Sequence, residues 1–292
     1  MWIGETKVEK PTKKLRKLLS GGDLTLAPFA YDAFAARIAE ETGFEAVYMS
    51  GFGVSMSKGM PDFGLLTQTE MVQNASYIAQ SVDIPVIADA DTGYGNPINT
   101  FRTVREYEKA GVAAIHIEDQ VAPKKCGFFE GKDVIPSGEA IEKIRSAVDA
   151  RTDPDFVIIG RTDALAVNGW QDTIDRCRAF YNAGADIVFV DGIKTQEDLK
   201  KYAESLKDLP RMYNGQLPVS DVAELGFKIQ IHRGPMFGLH TAISSFMNEL
   251  LQTGAMAQDA DGDGAELREA ITKTLKINEL LEMEAKYAVS KN

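Results

Sequence analysis

Cysteine is the scarcest reactive residue in this sequence. Only Cys126 and Cys177 occur in 292 residues, too few for a disulfide framework and without the paired spacing of a zinc ribbon. The expected compartment is therefore the reducing cytoplasm. Long apolar runs are missing too. None approaches the roughly 20 residues that span a bilayer, so no membrane partner is expected. Histidine occurs three times, and no Ser-His-Asp or Cys-His-Asp arrangement is visible locally, which disfavours a hydrolase triad. Positive charge is in deficit. A net charge of −11 argues against nucleic acid as a partner, although a bound metal and a few arginines could still reverse the field around an anionic substrate.

The one basic stretch is Met1 to Gly22, with Lys7, Lys10, Lys13, Lys14, Arg16 and Lys17. It lacks the apolar core and cleavage site of a secretory signal, and Glu5 and Glu9 weaken a targeting reading. Leu15, Leu18 and Leu19 suggest a short amphipathic helix within 1–22 that docks on the body of the protein.

What is present is a rhythm. Short apolar runs lie near 24–28, 46–49, 85–89, 113–118, 156–161, 187–191, 211–214 and 228–232. Amphipathic stretches follow them at 31–42, 67–81, 98–110, 137–150, 170–183, 195–206, 218–225 and 236–253. Gly43, Gly111 and Gly184 each fall where a helix stops and a strand begins, the position that takes the left-handed conformation. Eight alternating units predict a parallel sheet closed into a (βα)8 barrel of the TIM type, a single domain over 1–292. A doubly wound open sheet is the alternative for the same pattern. Residues 254–265 read as an acidic linker. Asp259, Asp261, Asp263 and Gly264 imitate the start of a calcium loop, but its twelfth position is Ala270 where a bidentate Glu is required. Beyond it, 266–292 carries an apolar stripe, including Leu267, Ile271, Leu275 and Leu281, as a helical tail able to pack on another subunit.

Reactive side chains gather where these strands end. The runs 85–89 and 113–118 end in carboxylates, at Asp89-Ala-Asp91 and Glu118-Asp119. At the carboxyl end of a barrel, Asp89, Asp91 and Glu118 would converge on one point and need a cation, and oxygen-only ligation favours Mg²⁺. Such residues also serve as helix caps or solvated turns. After Tyr48 and Met49, Ser50-Gly51-Phe52-Gly53 is a turn able to present backbone N–H groups to an oxyanion. Arg161 and Arg233 could each grip a carboxylate bidentately or pair structurally with neighbouring acids. Asn214 could be no more than a turn residue. Cys126, beside Lys124 and Lys125 in a loop, is expected to have a lowered pKa, whereas Cys177 reads as a small core hydrophobe. His116 reads as a packed mid-strand residue, and only His232 is placed for function.

The ordered series Ser50-Gly51, Lys58 to Asp62, Asp89-Ala-Asp91-Thr-Gly, Ile117-Glu118-Asp119-Gln, Lys124-Lys-Cys126-Gly127 and Arg161-Thr162-Asp163 resembles the isocitrate lyase and phosphoenolpyruvate mutase superfamily, from about residue 20 to 255. Its branch of likeness is that of the 2-methylisocitrate and 2,3-dimethylmalate lyases. The resemblance implies a (βα)8 barrel, a homotetramer built as a dimer of dimers with a C-terminal helix exchanged between subunits, and Mg²⁺, with Mn²⁺ as a substitute. It implies a carbon–carbon lyase that cleaves a 2-hydroxy di- or tricarboxylate, a small-molecule substrate, to pyruvate or another 2-oxo acid through an enolate. Asp89, Asp91 and Glu118 would hold the metal, and Ser50, Gly51 and Phe52 the oxo-acid carboxylate. Arg161 would grip the substrate, with Tyr48 and Asp62 near the alkoxide and Asn214 at the second carboxylate. Cys126 would be the loop acid, and Gly127 and Asp191 would join the substrate-binding set; the pair His232-Arg233 is unlike the usual lyase, and Arg233 is expected to bind a different end of the substrate. A phosphonomutase and an oxaloacetate decarboxylase or hydrolase are alternatives on the same scaffold, and a non-catalytic dicarboxylate-binding oligomer is disfavoured. Two positions depart from the lyase pattern: Phe128 stands where those enzymes carry His, and Asp191 where they carry Glu. A substrate less polar near the loop, or a changed reaction, is the consequence expected.

Overall fold

A computed structural model describes residues 9–127, 129–255 and 264–288. Most of the acidic linker, including the calcium-like aspartates, lies outside the described residues, as does Phe128. Eight parallel strands form one sheet: β1 (Thr25–Pro28), β2 (Val47–Met49), β3 (Val86–Asp89), β4 (Ala114–Glu118), β5 (Val157–Thr162), β6 (Ile187–Val190), β7 (Arg211–Asn214) and β8 (Ile229–His232). Seven neighbouring pairs are laddered in the order β1-β8-β7-β6-β5-β4-β3-β2. The last gap closes more thinly, through a single bridge between Phe29 and Tyr48, with the Ala30 N–H donating to the Tyr48 carbonyl at 2.8 Å. The result is a nearly closed TIM-type barrel.

Helices α2 (Ala33–Thr42), α3 (Gly51–Ser57), α4 (Gln68–Ser81), α5 (Pro97–Ala110), α6 (Ser137–Ala150), α7 (Trp170–Asn182), α8 (Gln196–Ser205), α9 (Val219–Glu224) and α10 (Gly234–Thr253) alternate with the strands. Local chemistry sets their limits. Thr67 with Glu70, and Asn96 with Asn99, make reciprocal capping boxes at the starts of α4 and α5. Gly43 and Gly111 end α2 and α5 with positive φ. The stretch after Ser50, read from sequence as a turn, is the helix α3. Glycines 51 and 53 are poor helix formers, but tertiary contact requires both to be small. A side-chain carbon at Gly51 would press on the Asp89 carboxylate at 2.8 Å, and one at Gly53 on Tyr31 at 2.9 Å.

The strands explain the site because alternate residues face opposite sides. Val47, Met49, Val86, Ala88, Ile115, Ile117 and Ile158 pack outward under the helices. Tyr48, Ile87, Ala114, Val157, Ile159, Ile187 and Phe189 share the interior cluster. By the same parity Asp89, His116, Glu118 and Arg161 face inward. The amino end of the barrel is plugged by α1 (Pro11–Ser20). Its Leu15 is fully buried in the interior cluster, and Lys14 and Arg16 bond to the loops before β3, β5 and β6.

The tail is not one helix. It breaks into α11 (Ala265–Thr274) and α12 (Ile277–Tyr287) at Lys276, whose φ is 54°. Helix α11 docks on α2: Arg37 donates to the Thr274 carbonyl at 2.7 Å, and Thr274 donates to Glu41 at 2.9 Å. Among the described residues, no helix is long and apolar enough to cross a membrane.

Candidate active site

A cavity of about 520 Å³ opens at the carboxyl ends of the strands, where barrels of this kind build their sites. Tyr48, Ser50, Phe52, Asp62, Asp89, Cys126, Gly127 and Arg161 line it, as do Asp191, Asn214 and Arg233. Gly51, Asp91 and Glu118 stand just behind that wall. The Gly51 amide, expected to hold a substrate carboxylate, donates instead to Asp89 Oδ2 at 3.0 Å.

The ionised groups form two linked knots. In the first, Lys124, only 4% exposed, bridges Asp62 at 2.6 Å and Asp91 at 2.8 Å. In the second, Arg161 lies 3.2 Å from Glu118, 2.9 Å from Asp163 and 3.2 Å from Asp191. Lys132 reaches from the loop after β4 to Asp163 at 2.8 Å and Asp191 at 3.4 Å. The Phe189 ring supports Arg161, with its guanidinium carbon 5.4 Å from the ring centre. Asp119 accepts from Thr162, the Asp163 amide and Arg176 at 2.7, 2.9 and 3.1 Å. That makes it a brace for the loop after β5.

Burial governs the titration of these groups, and the neighbouring charges modify it. Burial pushes the Asp91 carboxyl up to about 6, with Asp89 and Asp62 adding to it against Lys124. Burial raises Glu118 well above the carboxylate range in spite of Arg161. Burial raises Asp89 as well, but His116, Lys124 and Arg161 outweigh it and hold that carboxyl well below its ordinary value. Burial lowers His116 to about 4, so its imidazole is neutral.

His116 is packed within β4, as expected from sequence, and it also belongs to the site. It is fully buried, its Nε2 lies 2.6 Å from the Tyr48 hydroxyl and 3.4 Å from Asp89 Oδ1, and its Nδ1 has no hydrogen-bond partner. The signal was available, because His116 stands two residues before Glu118 on one strand and therefore shares its face. Lys124, Lys132 and Asp163 were also missed as members of the site. His232 is excluded from the cavity wall and instead accepts the Gly234 N–H at 3.1 Å, at the start of α10.

The donor set suits a hard divalent cation. Asp89, His116 and Glu118 offer ligand atoms that all lie within 4.8 Å of one another. Glu118 Oε2 and Asp91 Oδ1 are buried and meet the Arg161 and Lys124 cations, at 3.2 and 2.8 Å, so the site already sets its carboxylate oxygens against positive charge. Two carboxylates and an imidazole, with Asp91 adjacent, match oxygen-rich ligation. Asp91 itself is turned to Lys124.

Cys126 is buried at the cavity wall, and its amide donates to the Asp62 carbonyl at 3.0 Å. Of the two neighbouring lysines, Lys124 bridges the acids of its knot and Lys125 donates to the Gly131 carbonyl at 2.8 Å. Gly127 passes so close to Asp191 that any side chain there would strike its carboxylate. Cys177 lies in the core between α7 and the sheet, fully buried.

The family description that matches residues 15–250 is that of phosphoenolpyruvate phosphomutase. The chain belongs to this family. Within the phosphoenolpyruvate phosphomutase family, the chain is 45% identical over 242 residues to a 2,3-dimethylmalate lyase of Eubacterium barkeri, covering 80% of this chain and 83% of that one. It is 40% identical over 262 residues to a 2-methylisocitrate lyase of Aeropyrum pernix, covering 87% and 84%. The fold matches a solved structure of 2,3-dimethylmalate lyase with a TM-score of 0.88, at 33% identity and 97% coverage of each chain. That structure is described as a member of the PEP mutase and isocitrate lyase superfamily, so the superfamily likeness stated from sequence holds.

Proposed function

We infer that this enzyme is a carbon–carbon lyase that cleaves a 2-hydroxy di- or tricarboxylate to pyruvate, or a related 2-oxo acid, and a carboxylic acid. The class rests on the named lyases it resembles over most of its length. The observation that carries the reading is the buried group Asp89, His116 and Glu118 at the floor of a cavity whose wall includes Arg161 and Cys126.

Asp89, Glu118 and, after release from Lys124, Asp91 would hold Mg²⁺ or Mn²⁺, with His116 as a neutral neighbour. When bound, the cation supplies Lewis-acid stabilisation of the negative charge that develops during cleavage. The rest falls to the protein. Ser50 and the backbone at Phe52 receive the oxo-acid carboxylate at the start of α3. Arg161 is fixed by three carboxylates and a ring face, so it balances charge without reorganising. Tyr48, with its phenol pushed well up by burial, stays protonated and donates from the cavity floor. Asp62 is held by Lys124 beside the reacting hydroxyl. The Asp62 carboxylate takes the hydroxyl proton as that carbon becomes the carbonyl of the 2-oxo acid, and breaking its bond to the carbon α to a carboxylate leaves the electron pair on the second carbon. The Cys126 thiol delivers its proton there, and Gly127 lets the loop lie against Asp191 while water is excluded.

The exposed apolar side of α10, with Phe237, Ile243, Met247 and Leu251, supports its exchange between subunits of a homotetramer. The isolated thiols fit the cytoplasm. The reading is tested by incubating the protein and Mg²⁺ with a panel of 2-hydroxy di- and tricarboxylates, phosphonopyruvate and oxaloacetate. Release of 2-oxo acid from the hydroxy acids is expected. Phosphonate rearrangement seen by phosphorus NMR, with no hydroxy-acid turnover, would overturn it.

A further inference from the structure

We propose that Gln120 is a positioning residue: its side-chain amide ties the Glu118 carboxylate to the loop that carries Cys126, and so holds the thiol at the cavity wall. The inference rests on the lyase reading and adds to it a residue that stands outside the cavity.

Gln120 follows Glu118 by two residues, so an extended chain puts both on one side and Asp119 on the other. Asp119 is committed to Thr162, the Asp163 amide and Arg176. Gln120 is used differently. Its Nε2 donates to Glu118 Oε1 at 3.0 Å and to the Lys125 carbonyl at 2.9 Å, and its Oε1 accepts the Lys125 N–H at 2.9 Å. All three bonds run to the carboxylate or to the residue before Cys126. The amide can be set only one way, because a donor must face the two oxygens and an acceptor the N–H. Gln120 is 2% exposed and lies outside the cavity lining, so it acts through the groups it holds.

The backbone fixes the other end of this tether. Gln120 pairs with Val134 in an antiparallel bridge, the Val121 amide donates to the Asp133 carbonyl at 2.9 Å, and the Ile135 amide donates to the Asp119 carbonyl at 2.9 Å. Gln120 therefore sits where the loop both leaves the barrel and returns to it. From that point three successive residues are pinned. Lys124 is held by Asp62 and Asp91, Lys125 by Gln120, and the Cys126 amide by the Asp62 carbonyl. The first pin uses carboxylates that the reaction and a cation also claim, whereas the Gln120 pin uses a residue with no second task. A thiol that hands over a proton must be placed closely, and a neutral amide does so without adding charge to an end already rich in acids. The same amide orients the Glu118 carboxylate, as partners behind a metal ligand do.

Two variants test the tether. Gln120→Met keeps the length and loses all three bonds. Gln120→Glu keeps the acceptor for the Lys125 N–H but turns a carboxylate towards Glu118 and the Lys125 carbonyl. At saturating Mg²⁺, kcat on the hydroxy acids should fall about 10- to 100-fold in either, the scale of a misplaced reacting group, while KM changes less than about threefold. In a Cys126→Ser background, Gln120→Met should lower kcat no further, because the group it positions is gone. Alkylation of Cys126 by iodoacetamide, followed at its own peptide by mass spectrometry, reads the tether without turnover. The wild-type thiol is only 7% exposed, and its alkylation should quicken about tenfold or more in the variants as the loop loosens. Cys177, fully buried in the core, should stay unreactive, which separates loosening of the loop from unfolding. Mg²⁺ affinity by calorimetry should drop about tenfold. Faster Cys126 alkylation in the variants of a protein that cleaves no hydroxy acid would sink the lyase reading and leave the tether standing. An unchanged alkylation rate, an unchanged Mg²⁺ affinity, or a loss of kcat in Cys126→Ser as large as in the wild type would each overturn the tether.

Discussion

The two ends of the barrel are both held by buried or half-buried ions, yet they differ in how the charges match. At the amino end, Asp186 receives Arg16 at 2.8 Å and Arg151 at 2.9 Å, and its Oδ2 also accepts the Ile158 amide at 2.8 Å. Leu15 seals the barrel interior beneath this cluster. Each charge there has a partner and a packing role. At the carboxyl end, Asp62, Asp89, Asp91, Glu118, Asp163 and Asp191 crowd around Lys124, Arg161 and Lys132. The acids outnumber the cations, and burial raises Asp91 and Glu118, with neighbouring carboxylates adding to the rise. One end is satisfied as it stands. The other is left short of positive charge, which is the condition for holding a cation and an anionic substrate, at a cost in stability.

The contrast can be broken most severely at its acidic end. Glu118→Gln and Asp89→Asn should each lower kcat by at least about 10²- to 10³-fold, the scale of losing a preorganised electrostatic group. Glu118→Gln should melt no lower than the wild type in chelator, because burial disfavours the charged carboxylate there, whereas Asp89→Asn should melt lower, because neighbouring cations stabilise that carboxylate and it accepts the Gly51 and Asp91 amides. A Glu118→Gln variant that loses activity and unfolds together would erase that distinction. Cys126→Ser should remove most turnover, by about 10²-fold or more, while binding of the 2-oxo acid, followed by calorimetry, stays near that of the wild type. Persistent activity would assign the proton to another group.

Adding Mg²⁺ sharpens the comparison without a mutation. The melting temperature of the wild type should rise with the cation, as expected for a ligand that binds only the folded state. That rise should vanish in Asp89→Asn and persist in Arg16→Met. Arg16→Met, at the amino end, should cost about 1–3 kcal/mol through lost charge-assisted bonds, read by urea denaturation, with kcat unchanged.

The smallest effect separates acids within the site. Asp163 is raised by burial, but Arg161 and Lys132 bring it down from 3.8 to about 2. A depressed carboxyl contributes stability that is present above its unfolded value and is lost as the pH falls through its folded value. Asp163 should therefore contribute about 2 kcal/mol near neutrality, lost between pH 4 and 2. Asp163→Asn should flatten the stability profile in that window.

Much of this was readable from one strand's worth of sequence at a time. All eight strand positions follow from short apolar or aromatic runs, and Gly43 and Gly111 mark joints because a left-handed residue is needed to stop a helix. Asp89, Arg161, Cys126 and Arg233 were legible because they stand at or just after strand ends. Helix α3 was not, since Gly51 and Gly53 lower helix propensity and are required only by neighbours remote in sequence. The break at Lys276 was hidden because the apolar stripe of the tail continues across it.

By itself the sequence determined the alternating units, the inward parity of Asp89, His116, Glu118 and Arg161, and so the presence of an acidic site at one end of a barrel. Periodicity is local, and the pleat of a strand enforces it within a few residues. Only the tertiary structure decided which charges meet. Lys124 pairs with Asp62 and Asp91, and Lys132 with Asp163 and Asp191. Ion pairing depends on distance and burial across loops from different strands, and no local pattern encodes either.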